Sequence, residues 1–202
     1  DPAGIPAIPA AAGVYTVTLT DGAGCTATAS KTISVAASAA PVISASSNTP
    51  VCSGSNLILS STPSGGSGIY TQFSWAGPNS YAAVNQNPTP FPAAAANGGT
   101  YTVKVTDNAG CTASASTTVI VKPLPVISAA SNSPVCTGGT ILLNATPSGG
   151  SGTFTTFQWS GPNSFSSVLE DPAGFPAILA ASGTYTVTVT DNAGCTKSGT
   201  TS

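Results

Sequence analysis

The stretch Gly99-Thr100-Tyr101-Thr102-Val103-Lys104-Val105-Thr106-Asp107-Asn108-Ala109-Gly110-Cys111-Thr112 decides the fold. Tyr101, Val103 and Val105 recur at the period of two that puts alternate side chains on one face of a half-buried strand, and the run is rich in β-branched residues. Asp107-Asn108-Ala109-Gly110 is a turn sequence with Gly placed for a positive φ. Thr112 to Val121 then returns as a second apolar-alternating run, so the stretch predicts an antiparallel hairpin. The same hairpin is written three times, as Gly13-Val14-Tyr15-Thr16-Val17 through Cys25, as the quoted stretch, and as Gly183-Thr184-Tyr185-Thr186-Val187 through Cys195.

Around the hairpins the whole chain repeats with a period of about 84 residues. Pro41-Val42-Ile43-Ser44 through Cys52 recurs as Pro125-Val126-Ile127-Ser128 through Cys136. Trp75 recurs as Trp159, and Gly77-Pro78-Asn79-Ser80 as Gly161-Pro162-Asn163-Ser164. Asp1-Pro2-Ala3-Gly4 matches Asp171-Pro172-Ala173-Gly174, so the opening residues read as the rear half of a third copy. The expected organisation is a half repeat over 1–38, a full repeat over 39–123 and a repeat lacking the end of its last strand over 124–202. This reads as a window on a longer array. Completion of the half copy by strands from a neighbouring chain is the alternative.

Within each copy Asn56 to Ser61 and Gln72 to Ala76 predict two more strands, separated by Pro63-Ser64-Gly65-Gly66-Ser67-Gly68, with Phe73 and Trp75 on one face. About seven short strands per copy, with turn signals every 8 to 12 residues, predict an all-β chain of tandem immunoglobulin-like sandwiches. Gly99-Thr100-Tyr101 and Gly183-Thr184-Tyr185 fit a tyrosine corner, in which the phenol ties back to the backbone. Val103 and Val187 stand where immunoglobulins place a core cysteine. Trp75, Tyr101, Trp159 and Tyr185 are therefore the expected core anchors.

The five cysteines lie at 25, 52, 111, 136 and 195. Pairing within copies joins Cys52 to Cys111 and Cys136 to Cys195, each bond worth about 4 kcal/mol in the chain-entropy model. A rival scheme joins Cys25 to Cys52 and Cys111 to Cys136 across the connectors. The within-copy scheme is preferred, although spacing alone does not decide between them, and either implies an oxidising, extracytoplasmic location.

Composition narrows the function. Only 5% of residues are charged, with four Lys plus Arg against six Asp plus Glu and no His, so no basic face exists to meet a phosphate backbone and no nucleic-acid partner is expected. No apolar run approaches the roughly 18 residues of a membrane span, and any export signal lies outside this stretch. An enzyme would need a positioned acid, base or metal, and Glu170-Asp171 is the only adjacent acidic pair. No catalytic, metal or cofactor residue is expected. Asp107-Asn108 and Asp191-Asn192 read as turns before they read as Ca²⁺ ligands, and the Gly-Gly-Ser-Gly loops lack the Lys and helix start of a phosphate cradle. Trp75 and Trp159 alternate with Phe73 and Phe157 into the core, which leaves Tyr81 and Phe165 as the candidates for exposed aromatics. Lys122-Pro123-Leu124-Pro125 reads as a short stiff connector.

Taken together, Val-Cys-x-Gly before the second strand, Ser-Gly-Gly-Ser-Gly before the Trp strand and Gly-Thr-Tyr-Thr-Val-x-Val-Thr-Asp-Asn-Ala-Gly-Cys-Thr at the hairpin resemble the Ig-like and PKD-like tandem repeats of giant secreted surface proteins of Bacteroidota, including the SprB gliding-adhesin type. Gly77 to Pro92 is longer than that type has. The resemblance implies a non-catalytic, exported stalk, adhesin or filament at the cell surface. The outer faces, built from Ser, Thr, Ala, Asn and Gly, carry little repulsive charge, so self-association into a fibre or longer array is the expected partnership, with a surface glycan as a further partner. A carbohydrate-binding accessory module of a secreted hydrolase is the competing reading.

Overall fold

The computed structural model describes residues 3–4, 11–35 and 39–202. The Asp1-Pro2 half of the opening match and the connector residues Ala36-Ala37-Ser38 lie outside the described residues.

The rear half copy is one hairpin, β1 (Gly13–Thr20) and β2 (Thr26–Ile33). The first full copy runs through β3 (Pro41–Ser47), β4 (Val51–Cys52), β5 (Asn56–Leu57), β6 (Leu59–Gly65), β7 (Tyr70–Gly77), β8 (Tyr81–Ala83) and β9 (Phe91–Pro92). It closes with β10 (Gly99–Asp107), β11 (Thr112–Val119) and the short β12 (Val121–Lys122). The second copy follows the same order without a strand at the β4 position, as β13 (Pro125–Ser131), β14 (Thr140–Ile141), β15 (Leu143–Gly149), β16 (Phe154–Gly161), β17 (Phe165–Ser167), β18 (Phe175–Pro176), β19 (Tyr185–Asp191) and β20 (Thr196–Thr201).

Each full copy is an immunoglobulin-like sandwich. One layer is a four-stranded antiparallel sheet, β11-β10-β7-β8 or β20-β19-β16-β17. The facing layer is built on the antiparallel pair β3-β6 or β13-β15, with the short pairs β5-β9 or β14-β18 beside it. The second predicted strand is longer than expected and is broken. Asn48 explains the break, because its side-chain nitrogen donates to Asn56 O and its oxygen accepts from Ile58 N, both at 2.9 Å, where a straight strand would use a neighbour's backbone. Asn132 does the same for Thr140 and Leu142. Beyond the break β6 continues through Pro63, whose missing N–H is tolerated in a two-stranded sheet with a free edge.

The period of two becomes burial. Tyr101, Val103 and Val105 are all 0% exposed, and Trp75, paired across the sheet with Val103, is 1% exposed against Leu57 and Leu59 of the opposite layer. Trp159, Tyr185, Val187 and Leu143 form the equivalent core of the second copy. Each indole N–H is satisfied at the core rim, Trp75 Nε1 donating to Gln86 O at 3.2 Å and Trp159 Nε1 to Glu170 O at 3.1 Å. Tyr101 OH donates to Asn97 O at 2.9 Å and Tyr185 OH to Ala181 O at 2.6 Å, the tie of a tyrosine corner. Burial pushes both phenols above their ordinary pKa, and at Tyr101 the neighbouring Tyr81 adds to the effect.

In the half copy the same face is open. Tyr15, Val17 and Leu19 occupy the positions of Tyr101, Val103 and Val105, yet Val17 is 67% and Leu19 71% exposed. The hairpin nevertheless keeps its own corner, with Tyr15 OH donating to Ala11 O at 2.9 Å.

Candidate functional site

The residues that set one end of each sandwich belong to the hairpin tip. Asp107 Oδ1 accepts the N–H groups of Ala109 and Cys111, while Oδ2 accepts that of Ser67 from the Gly-rich loop. This carboxylate therefore closes its own turn and pins the loop of the other layer against it. Gly66 in that loop is forced to be Gly, since φ is +61° and a Cβ would stand 2.7 Å from Asp107 Oδ2. Asp191 repeats the clamp on Ala193, Cys195 and Ser151. With its oxygens committed to N–H groups, each of these aspartates works as a turn clamp. Among the described residues no three His, Cys, Asp or Glu side chains converge as a metal cluster.

Burial pushes the Asp107 carboxyl up, but the N–H groups of Ser67, Cys111 and Ala109 and the Ser67 hydroxyl outweigh it and hold the pKa below the usual aspartate value. Asp191 is lowered by the same balance. A depressed folded pKa means that the clamp's stabilisation is fully present above the unfolded aspartate value, about 3.9, and is lost as pH falls through the folded one. Thermal unfolding followed by circular dichroism should therefore give a midpoint that is flat between about pH 7 and 5 and falls below about pH 4. Asp191→Asn should lower the midpoint at neutral pH and shrink that acid drop.

The opposite end of the first sandwich is set by the segment that carries Cys52. Val51 N donates to Ile120 O at 3.0 Å, Ser53 N to Lys122 O at 2.8 Å and Gly54 N to Ala93 O at 2.7 Å, so β4 lies parallel beside β12 at the exit of the copy. Cys52 is therefore at the exit end and Cys111 at the tip end, with the length of β10 between them, about 26 Å at roughly 3.3 Å per residue. A disulfide needs Cα atoms about 4.4–6.8 Å apart. Pairing within a copy is excluded by the topology.

The structure corrects both expected schemes. Its disulfide joins Cys52 to Cys195, with Cα atoms 5.7 Å apart and 143 residues of separation. Cys25, Cys111 and Cys136 are free thiols. The physical reason is the polarity of the array: the exit end of one sandwich faces the tip end of the next. Lys122 sits beside Cys52 in the β12–β4 pair, and only Pro123 and Leu124 intervene before Pro125. Pro125 packs where Gly150 and Asp191 meet, at the tip end of the second copy. Two residues of connector thus bring the exit cysteine of one copy to the tip cysteine of the next. Cys195 is 1% exposed at this junction, whereas its counterpart Cys111 is half-buried and Cys25 exposed. The signal was available as strand direction: counting strands from each cysteine puts the two cysteines of a copy at opposite ends.

The aromatic candidates are also corrected. Tyr81 and Phe165 are half-buried. Tyr81 stacks on Phe91 with ring centroids 4.9 Å apart and meets the edge of Tyr101 at 5.2 Å, and Phe165 makes the same pair of contacts with Phe175 and Tyr185. They extend the core around each tyrosine corner. Asp171 of the acidic pair is structural as well, accepting the N–H of Ala145 at 3.1 Å and the amide of Asn144 at 2.8 Å.

The strands thus define the class: tandem immunoglobulin-like β-sandwiches. No family model matches the sequence, and no curated protein matches it. Among solved structures, the N-terminal eight Ig domains of Down Syndrome Cell Adhesion Molecule align with 95% of this chain and 31% of that one, at 19% identity and a TM-score of 0.47. The chain thus spans about a third of that structure's length. The fibronectin(III)-like modules of Clostridium thermocellum CbhA align over 77% of this chain and 90% of theirs, at 14% identity and a TM-score of 0.38. Murine CEACAM1b aligns over 79% and 96%, at 14% identity and a TM-score of 0.32. Among the described residues no helix is long and apolar enough to cross a membrane.

Proposed function

We propose that this chain is part of the structural, adhesive-type shaft of an extracellular stalk or filament, as in the Bacteroidota surface proteins that its motifs resemble. The observation that carries the reading is the Cys52–Cys195 bond, which spans a junction between successive sandwiches and fixes their relation. Such a bond persists in an oxidising compartment, which supports an exported protein. The Pro-rich connector of two residues beyond Lys122 adds stiffness. Outer faces lined by cross-strand hydroxyl pairs, such as Thr102–Ser116 and Thr188–Ser198 at 2.8 Å, offer little charge to oppose side-by-side association. The free edges of the short sheets give a place for it.

Electron microscopy of the oxidised chain, with a glycan array in parallel, tests the reading. The expected result is rods in which two sandwiches keep one fixed angle and associate into longer assemblies, without saturable glycan binding. Dispersed, flexibly hinged particles that bind a polysaccharide would replace it with the carbohydrate-module reading.

A further inference from the structure

The Cys52–Cys195 bond joins two sulfurs in unequal surroundings. Cys195 is 1% exposed. Its turn fixes it on both sides, since its N–H donates to Asp191 Oδ1 and its carbonyl oxygen accepts the Asp191 N–H, each at 2.9 Å. Asp191 is itself 1% exposed and also holds Ser151 of the Gly-rich loop, so exposing the Cys195 sulfur requires the tip to open. Cys52 is only half-buried. It lies in the two-residue strand β4, whose one sheet partner is the equally short β12. Just beyond it Ser55 N donates to Cys52 O at 3.0 Å, and the turn this closes exposes Gly54 and Ser55 to solvent.

We propose that Cys52 is a thiolation site: the sulfur of this bond that a small thiol of the glutathione class enters, and so the place where the junction between the two sandwiches is unlocked. An attacking thiolate must reach the sulfur it attacks, and access decides the choice here. The small thiolate attacks Cys52 Sγ and a mixed disulfide forms there. The Cys52–Cys195 bond breaks, and its electron pair leaves on Cys195 Sγ, which takes up the proton that the small thiol gave to water. Until the next step the buried Cys195 sulfur stays beside Cys52 and reverses the exchange, so the lock holds against a brief encounter. A second small thiolate then attacks the small-thiol sulfur of the mixed disulfide and releases Cys52, which is protonated in turn. Two small thiols are thereby oxidised to one small disulfide for each protein disulfide reduced. The lock works this way in a stalk and in a carbohydrate module alike.

Cys25→Ser, Cys111→Ser and Cys136→Ser, combined in the full chain, leave the bonded pair as its only cysteines. The oxidised, folded variant is exposed briefly to reduced glutathione at neutral pH, quenched with acid and N-ethylmaleimide, and mapped by mass spectrometry. The expected result is glutathione on Cys52 with maleimide on Cys195, in about ten-fold or greater excess over the reverse labelling, because a buried tip reacts only when it opens locally. In guanidinium chloride strong enough to unfold the chain, both sulfurs meet solvent and the excess should fall to within about two-fold. Equal or Cys195-dominant labelling of the folded chain would overturn the proposal. So would an excess at Cys52 that survives unfolding, since its cause would then lie in the flanking residues and not in burial. An adduct that forms only once the chain unfolds would overturn it as well, because neither sulfur would then be open in the folded state. The same mapping on wild type, whose three free thiols fall on separate peptides, supplies the ratio independently of the substitutions.

Discussion

Stretched between its two ends, the oxidised chain should release about 500 Å less contour than the reduced chain, since an extended residue spans at most roughly 3.3–3.6 Å. Load entering from the N-terminal side travels along the backbone to Cys52, crosses the disulfide to Cys195 and leaves through the last strand. The residues between the two sulfurs, which include the second core and most of the first, are out of the force path even when both sandwiches have come apart. Two sandwiches wired this way yield little length under tension, which is a mechanical consequence of a bond between copies that one inside each copy would supply less fully. The same loop closure contributes about 5 kcal/mol against unfolding in the chain-entropy model. Single-molecule force spectroscopy with handles at the two termini measures the difference directly. Cys52→Ser in oxidising buffer should behave as the reduced wild type does, whereas equal contour release in all three samples would mean that the bond does not carry the load.

The contrast between what could be read in the sequence and what could not follows from the range of each interaction. Alternation over Tyr101, Val103 and Val105, and the Asp107 to Gly110 turn, are local, and they specify the hairpin and its buried face before any other strand is considered. The repeat then supplies the strand inventory of the sandwich. The disulfide is a different kind of fact. Cys52 and Cys195 are brought together by the direction of β4, the shortness of the connector after Lys122 and the placement of Pro125 against the next tip, and a cysteine spacing contains none of these. The burial of Tyr81 and Phe165 is not legible for a related reason: Gly-Pro-Asn-Ser marks a turn, but whether the aromatic after it faces water depends on Phe91 or Phe175 arriving from further along the chain. Side-chain substitutes for strand pairing, such as Asn48 bridging Asn56 and Ile58, are equally non-local.

Trp75→Ala should cost the first sandwich about 3–5 kcal/mol, a large share of the roughly 5–15 kcal/mol that holds a domain folded. The side chain is 1% exposed, lies across the sheet from Val103 and Ala83, and packs against the opposite layer, so no neighbour can collapse into the space it leaves. Truncation also removes the Nε1 donor to Gln86 O, an acceptor that Ser61 Oγ still serves at 2.9 Å, so the lost volume outweighs the lost hydrogen bond. Trp75→Phe, which fills part of the hole, should be much milder. The two sandwiches have separate cores, so chemical denaturation of Trp75→Ala should show two transitions: an early one by circular dichroism, and a later one reported by the remaining Trp159 fluorescence at its wild-type midpoint. Two transitions that move together would instead mean that the clamped junction passes destabilisation from one copy to the next. Repeating the titration after reduction separates the alternatives, because only the coupled case should then split.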